Sequence, residues 1–242
     1  IFKKEDLEAG GGNEQSHTRS FLKIQDGCNS FCTFCIIPYA RGKSRSIGIA
    51  DLVSRIKDLE QQGRKEIVLT GVHIGDYEDV QNGNQKTLED LVEAILIKTN
   101  ISRIRLSSLE PVELTDRLLE LYSDERLCPH FHMSIQSANT DVLFQMKRKY
   151  TQDDVVIALH KIYRKLKNPF VGMDVIAGFP TETQEQFDDT YKILCDLPWT
   201  KMHVFPYSER HGTRAAVLEQ ILFHVRNECA SLFRTLSQHL FS

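Results

Sequence analysis

From Phe21 onward, short apolar runs alternate with amphipathic stretches, the pattern of parallel strands joined by crossover helices. The runs Phe21–Gln25, Glu66–Gly71, Arg103–Ser107, His130–Ile135, Phe170–Ile176 and Lys201–Phe205 read as six strands, the fifth closed by Gly178-Phe179-Pro180. Between them, Ile49, Leu52, Val53, Ile56 and Leu59 recur at helical spacing and predict a helix over Ile49–Gln61. Thr87, three residues before Asp90, matches the acidic form of a capping box and predicts a helix over Thr87–Lys98. Further helices are expected at Thr115–Leu121, Asp141–Met146, Gln152–Leu166 and Gln184–Cys195. Six strand–helix units of this kind make an α/β fold, an open, partial (β/α)6 TIM-like barrel. Downstream, apolar residues at Leu218, Ile221, Leu222, Val225, Cys229, Leu232, Phe233 and Leu236 predict one long C-terminal helix from Ala215 to Leu240. Residues 1–20 are polar, contain Gly10-Gly11-Gly12 and show no period, as expected of a linker or frayed terminus. The expected organisation is therefore a linker over 1–20, a core domain over 21–208 and a helical tail over 209–242.

Composition narrows the class. Hydrophobic residues make up 41% of the 242 and charged residues 26%, the balance of a globular protein. No apolar run approaches the roughly 18 residues of a membrane span, and the amino end lacks a secretory signal, so no membrane partner and a cytoplasmic location are expected. A formal net charge of −3 does not describe a broad basic face for nucleic acid. Arg41-Gly42-Lys43-Ser44-Arg45 and Lys147-Arg148-Lys149 are the local candidates for phosphate contacts, against the alternative of solvated surface.

Six cysteines change the picture more than charge does, because three of them, Cys28, Cys32 and Cys35, fall within eight residues directly after the first strand. Thiolates are the usual ligands of iron–sulfur clusters, four are needed to close a cubane, and three leave one iron open. An open iron can take the amino and carboxylate groups of S-adenosylmethionine, and a reduced cluster then yields a 5′-deoxyadenosyl radical. A closed zinc site is the competing use of such cysteines, but no fourth ligand stands at zinc spacing. Cys128, Cys195 and Cys229 are scattered and read as packing residues. His130 and His132 share one face of a strand and read as packing rather than metal ligands.

The residues around the triad carry a resemblance. Lys23-Ile24-Gln25-Asp26-Gly27-Cys28, Cys35-Ile36-Ile37-Pro38-Tyr39-Ala40-Arg41-Gly42, Leu69-Thr70-Gly71-Val72-His73, Ser107-Ser108-Leu109-Glu110-Pro111 and Val204-Phe205-Pro206-Tyr207-Ser208 resemble the radical S-adenosylmethionine methylthiotransferases over about Thr18 to Ala216. Among these they are most similar to the subgroup acting on N6-threonylcarbamoyladenosine at position 37 of tRNA. The resemblance implies a barrel of the radical SAM type, a [4Fe-4S] cluster on Cys28, Cys32 and Cys35, and two uses of S-adenosylmethionine, one for the radical and one for the methyl group. It implies hydrogen abstraction from C2 of the adenine and a 2-methylthio product. It places Phe34 near the cofactor adenine, Thr70 and Gly71 at the methionine amino group, and Glu110, Gln136, Arg148 and Asp174 at the methionine carboxylate or ribose. Ile176 and Gly178 would offer backbone to the adenine. Each has a plainer reading. Glu110 caps a helix, Asp174 pairs with a neighbouring cation, and Arg148 belongs to a solvated basic turn. Implied partners are the tRNA anticodon loop, where position 37 is single-stranded, an electron donor and a sulfur source. Rival readings are a ribosomal-protein methylthiotransferase and a non-catalytic metal- or RNA-binding module.

Relative to that family the chain lacks an amino-terminal domain with a second cysteine triad and a carboxy-terminal tRNA-binding barrel, so it is expected to be the central domain alone. Smaller departures are Ala138 and Asn139 for the family's Gly and Ser, Thr181 for Gly, and Arg214 for Pro. Ala138 is expected to narrow the space near Gln136 by a methyl group, and Arg214 to redirect the tail.

Overall fold

The structure, a computed structural model, describes residues 19–239. The expected linker at 1–20 lies almost wholly outside the described residues, as does Leu240 at the end of the tail. The chain divides into two units, each described here by itself: a first one of residues through Asn29 with Arg41–Leu109 and Thr115–His130, and a second of Ser30–Ala40, Glu110–Leu114 and the residues from Phe131 on.

The first unit is built on β1 (Ser20–Lys23), β2 (Glu66–Thr70) and β3 (Arg103–Leu106), parallel in that order with Phe21 beside Val68 and Leu69 beside Leu106. Parallel strands covered on both faces read as unbroken apolar runs, and Ile67, Val68 and Leu69 are accordingly all buried. Helix α1 (Ile49–Gln61) buries Ile49, Leu52, Val53 and Ile56, the stripe expected from spacing. Helix α2 (Leu88–Lys98) starts at Thr87, whose backbone N–H donates to Asp90 Oδ2 at 2.8 Å, closing the anticipated capping box. Helix α3 (Asp116–Leu121) starts where the Thr115 hydroxyl accepts from the Leu118 amide at 3.0 Å.

The second unit holds β4 (His130–Gln136, from Phe131 on), β5 (Phe170–Ala177) and β6 (Lys201–Pro206), adjacent in the order β6-β5-β4, with β5 and β6 parallel and Asp174 beside His203. Strict alternation along β4 sends Phe131, Met133 and Ile135 into the core and leaves His132, Ser134 and Gln136 on the opposite, half-buried face. Helices α4 (Thr140–Gln145), α5 (Gln152–Lys165) and α6 (Gln184–Asp196) are capped by Asn139, Thr151 and Thr183. All six long strands stand where the sequence predicts them, three in each unit. No helix among the described residues is long and apolar enough to cross a membrane.

The tail departs from expectation. In place of one helix from Ala215, a 3-10 turn at Ala215–Val217 ends, and helix α7 begins only at Phe223 and runs to His239. The break is held by Gln220, whose Nε2 donates to the carbonyls of Ala215 at 2.9 Å and Leu218 at 2.8 Å, and by Arg226, whose Nε donates to the Ile221 carbonyl at 2.7 Å. Side chains thus take the carbonyls that a continuous helix would use. Leu218 and Leu222 are exposed, so their apolar spacing did not report a helical face; the buried stripe of α7 is Arg226, Cys229, Ala230, Phe233 and Ser237. Arg214 has φ −66°, an angle a proline ring would also adopt. Ala138 is fully buried, and Asn139 serves as the α4 cap that a serine would equally supply.

Thr181 is held at φ +69°, a left-handed angle that glycine adopts freely and a β-branched residue does not. Replacing it by glycine is expected to raise stability by about 1 kcal/mol despite the lost bond from its hydroxyl to Gln145 Oε1. Urea unfolding of wild type and Thr181→Gly checks this.

Candidate functional site

In the first unit the loop carrying Cys28 is shaped by a buried carboxamide. Gln25, fully inaccessible, donates from Nε2 to the Gly27 carbonyl at 2.7 Å and to Ser44 Oγ at 2.8 Å, and its Oε1 accepts from the His73 amide at 2.9 Å. Next to it, buried Asp26 accepts from the Gly27 amide at 2.9 Å and pairs with Arg41 at 3.1 Å and Arg45 at 3.0 Å. Burial works to raise the Asp26 pKa, but the Gly27 amide and Arg41 outweigh it and hold the carboxyl below its usual value. Two of the basic residues offered for phosphate contact are therefore committed to an internal acid. Gly27 sits at φ +77°, and a Cβ there would come within 2.2 Å of the Lys43 carbonyl oxygen. This close crossing lets the Cys28 amide reach the Gly42 carbonyl at 3.2 Å.

Cys28 Sγ lies 3.8 Å from His73 Nδ1, which is 3.2 Å from Asp76 Oδ2. Ligand atoms of these three residues all fall within 4.8 Å of one another. Thr70 and Gly71, expected at the methionine amino group, end β2 beside the same glutamine: a Cβ on Gly71 would sit 2.8 Å from Gln25 Oε1. Gly71 is thus required by close approach of side chain and backbone.

In the second unit Cys32 and Cys35 lie on the segment before a one-turn helix at Ile37–Arg41, with the Cys35 amide turned back onto the Cys32 carbonyl at 3.1 Å. Thr33 pins the segment: its amide donates to Met146 O, its hydroxyl to Gln145 O, and its carbonyl accepts from the Ala215 amide. Phe31, Cys32, Cys35, Tyr39, Lys147 and Arg214 line a cavity. Arg214 thereby brings a cation to the walls that hold the two thiols. All three cysteines of the triad are free of disulfides.

Arg148 is not on a solvated turn. Its side chain is 7% exposed, Nη1 lies 3.1 Å from Cys32 Sγ, Nη2 lies 2.9 Å from Glu110 Oε1 and donates to the Ser134 carbonyl at 3.1 Å, and Nε donates to the Tyr150 hydroxyl at 2.8 Å. Tyr150 passes its own hydrogen to the Ser134 carbonyl at 2.7 Å. Burial alone would lower the guanidinium pKa; Tyr150, Glu110 and Cys32 more than offset this, and the group stays charged. Glu110 takes the capping role of its plainer reading and has a second partner besides. It pairs with Arg148 and, through its amide bond of 2.7 Å to Glu113, starts the short 3-10 helix at Pro111–Glu113.

The remaining expected residues lie nearby within this unit or are engaged with other partners. Phe34 and Ile176 pack on one apolar cluster of Val142, Met146, Phe179 and Tyr207. Gln136 ends β4 at φ +61°, a strained angle of the kind found at functional positions. Asp174 Oδ1 lies 2.8 Å from His132 Nε2, and the His132 ring stacks on His203 at 5.4 Å. Gly178, at φ +69°, is pressed against α7, where a Cβ would meet Arg226 Cγ at 2.7 Å, and its amide donates to Glu182 Oε2 at 3.0 Å. Burial raises the Glu182 pKa from 4.5 to about 7, against the pull of the Gly178 and Phe179 amides. Of the scattered cysteines, Cys229 is buried as expected, whereas Cys195 is exposed and does not pack. Sequence reasoning quoted Gln25, Asp26 and His73 without a role and missed Asp76, Tyr150, Glu182 and Arg226. The first two had a signal, as polar residues continuing a strand into Gly27-Cys28. Tyr150 and Arg226 meet their partners only through the tertiary fold.

Residues 22–194 match the radical SAM superfamily. The chain is 41% identical over 218 residues to the threonylcarbamoyladenosine tRNA methylthiotransferase MtaB of Rickettsia prowazekii, covering 90% of this chain and 52% of that protein. It is 43% identical over 222 residues to the protein of the same name from Aquifex aeolicus, covering 91% and 53%. The chain thus spans about half the length of the curated relatives it matches. Among solved structures, the radical S-adenosylmethionine methyltransferase TsrM of Kitasatospora setae superposes with a TM-score of 0.65 at 17% identity over 82% of this chain and 38% of that one, which shows a shared fold.

Gly27 and Gly42 share a positive φ, but only at Gly27 would a Cβ meet backbone; at Gly42 nothing lies within 4 Å. In urea unfolding, Gly42→Ala is expected to lose about 1 kcal/mol and Gly27→Ala about 3 kcal/mol or more. For Glu182 the folded chain binds the proton more tightly than the unfolded one. Its stabilising share is complete below about 4.5 and is lost as pH rises through about 7. Glu182→Gln, which keeps an oxygen for the Gly178 amide, is expected to remove that fall, measured as unfolding free energy between about pH 5 and about pH 8.

Proposed function

This chain belongs to the radical S-adenosylmethionine superfamily, and we propose that it generates the radical in a methylthiotransferase that converts N6-threonylcarbamoyladenosine at position 37 of tRNA to its 2-methylthio form. The observation that carries the reading is the donor set: three free thiols, two of them on the walls of one cavity, with a buried cation on Cys32. Three thiolates suit a [4Fe-4S] cluster with one open iron. Bound together, such a cluster and S-adenosylmethionine supply a 5′-deoxyadenosyl radical. The superfamily uses both, and Cys28, Cys32 and Cys35 are the residues we assign to the cluster.

The protein's own share is to hold and shield the cofactor. Phe34, on the apolar cluster it shares with Ile176, gives the adenine a dry wall, and Ile176 and Gly178 offer it backbone. Thr70 and Gly71, fixed by Gln25, receive the methionine amino group. Glu110, Gln136, Arg148 and Asp174 serve the carboxylate and ribose. The substrate assignment rests on the names of relatives at 41% and 43% identity. Because those relatives are about twice as long, we assign to this stretch the radical step; sulfur source, electron donor and grip on the anticodon loop belong to the complete reaction. A base in a single-stranded loop reaches a site without duplex opening.

A second arrangement competes for one thiol, since Cys28, His73 and Asp76 stand close enough to share a metal such as zinc. Anaerobic reconstitution with iron and sulfide, then reduction with S-adenosylmethionine, separates the two. Wild type is expected to release 5′-deoxyadenosine and Cys32→Ala to release none. Wild-type protein that takes up zinc and yields no deoxyadenosine would overturn the proposal.

A further inference from the structure

We propose that Arg148 is a positioning residue for the cluster itself, setting the reduction potential through Cys32, with Glu110 as the opposing charge that sets how far. The inference rests on the assignment of Cys32 as a cluster ligand and goes beyond the cofactor contact given to Arg148 above.

Three observations carry it. First, contact is direct: Nη1 stands 3.1 Å from Cys32 Sγ, and both side chains are buried. Secondly, the guanidinium is held from other sides as well, by Tyr150 on Nε and by Glu110 and the Ser134 carbonyl on Nη2, so its orientation toward the sulfur is not a free rotamer. Thirdly, Tyr150 is itself fixed to the Ser134 and Ile135 carbonyls at 2.7 and 3.1 Å, which ties the whole arrangement to the backbone of β4. Hydrogen bonds to ligand sulfurs and net local charge are among the quantities that set cluster potentials, and groups behind the ligands orient them.

The direction follows from charge. Reduction adds an electron to the cluster, so a cation donating to a ligand sulfur stabilises the reduced form and raises the potential. An anion near the same place disfavours it. Arg148 and Glu110 therefore act with opposite sign, which a purely structural role would not produce.

The experiment is a redox titration of the reconstituted cluster, followed by electron paramagnetic resonance in the absence of S-adenosylmethionine, on wild type, Arg148→Met, Glu110→Gln and Tyr150→Phe. Arg148→Met is expected to lower the potential, with the reduced-to-oxidised ratio at the wild-type midpoint falling about tenfold, or about 59 mV for one electron. Glu110→Gln keeps its shape, loses its charge and is expected to shift the potential upward. Tyr150→Phe loosens the same buried group without changing charge and is expected to move it least. If Arg148→Met holds no cluster, Glu110→Gln decides the matter, and a potential that stays put or falls in that variant overturns the inference. A wild type that assembles no four-iron cluster would sink the proposed function and this inference with it. A wild-type cluster whose potential ignores both charge changes would sink the inference alone.

Discussion

A carboxamide with no access to water must find its hydrogen bonds in the protein, and the first unit is arranged around that demand at Gln25. Leaving such a group unsatisfied costs about 1–3 kcal/mol, so the Gly27 carbonyl, the Ser44 hydroxyl and the His73 amide are drawn to one point. Those three groups come from the cysteine loop, the residue just before the returning strand at Arg45–Ser46 and the loop after β2. Satisfying one side chain therefore fixes the positions of Cys28, of His73 and of the Thr70-Gly71 end together. The glycines follow from it, since Gly71 must admit the glutamine and Gly27 must pass under Lys43.

The second unit solves a similar problem with charge. There the buried group is a guanidinium, and its partners are a carboxylate, a phenol, a carbonyl and a thiol. A buried cation without a counter-charge would cost several kcal/mol, and Glu110 removes that difficulty while leaving a donor for Cys32. The backbone of β4 supplies the carbonyl, at Ser134, while the neighbouring Met133 and Ile135 anchor the strand in the core. In both units a polar group that looks misplaced in an apolar environment is what orders a cysteine.

How much of this was legible in the sequence depended on the range of the interactions. Strands such as Glu66–Thr70 and caps such as Thr87 with Asp90 are local, so apolar runs and three-residue spacings reported them faithfully. The triad could be picked out because Cys28, Cys32 and Cys35 lie close together along the chain. The tail was misread because Leu218, Ile221 and Leu222 copy a helical period while Gln220 and Arg226 take the carbonyls the helix would need. Arg148 was singled out only through family resemblance. Its environment joins residues 32, 110, 134 and 150, and no local pattern links these. The left-handed angle at Thr181 was likewise visible only as a departure from glycine; the strain itself is a property of the fold.

Helix α7 had been set apart as a tail, yet Gly178 is flat against Arg226, and that arginine also reaches the Tyr207 carbonyl and Glu209. The turn after β5 has no side chain of its own to close this side, so the helix supplies its cover. A fragment trimmed at the end of β6 would keep every cysteine of the triad and every strand, and still expose the backbone assigned to the adenine. The smallest useful piece of this protein is thus defined by what shelters the turn, and it extends at least through Phe233, where α7 stacks on Phe187 and Tyr191 of α6.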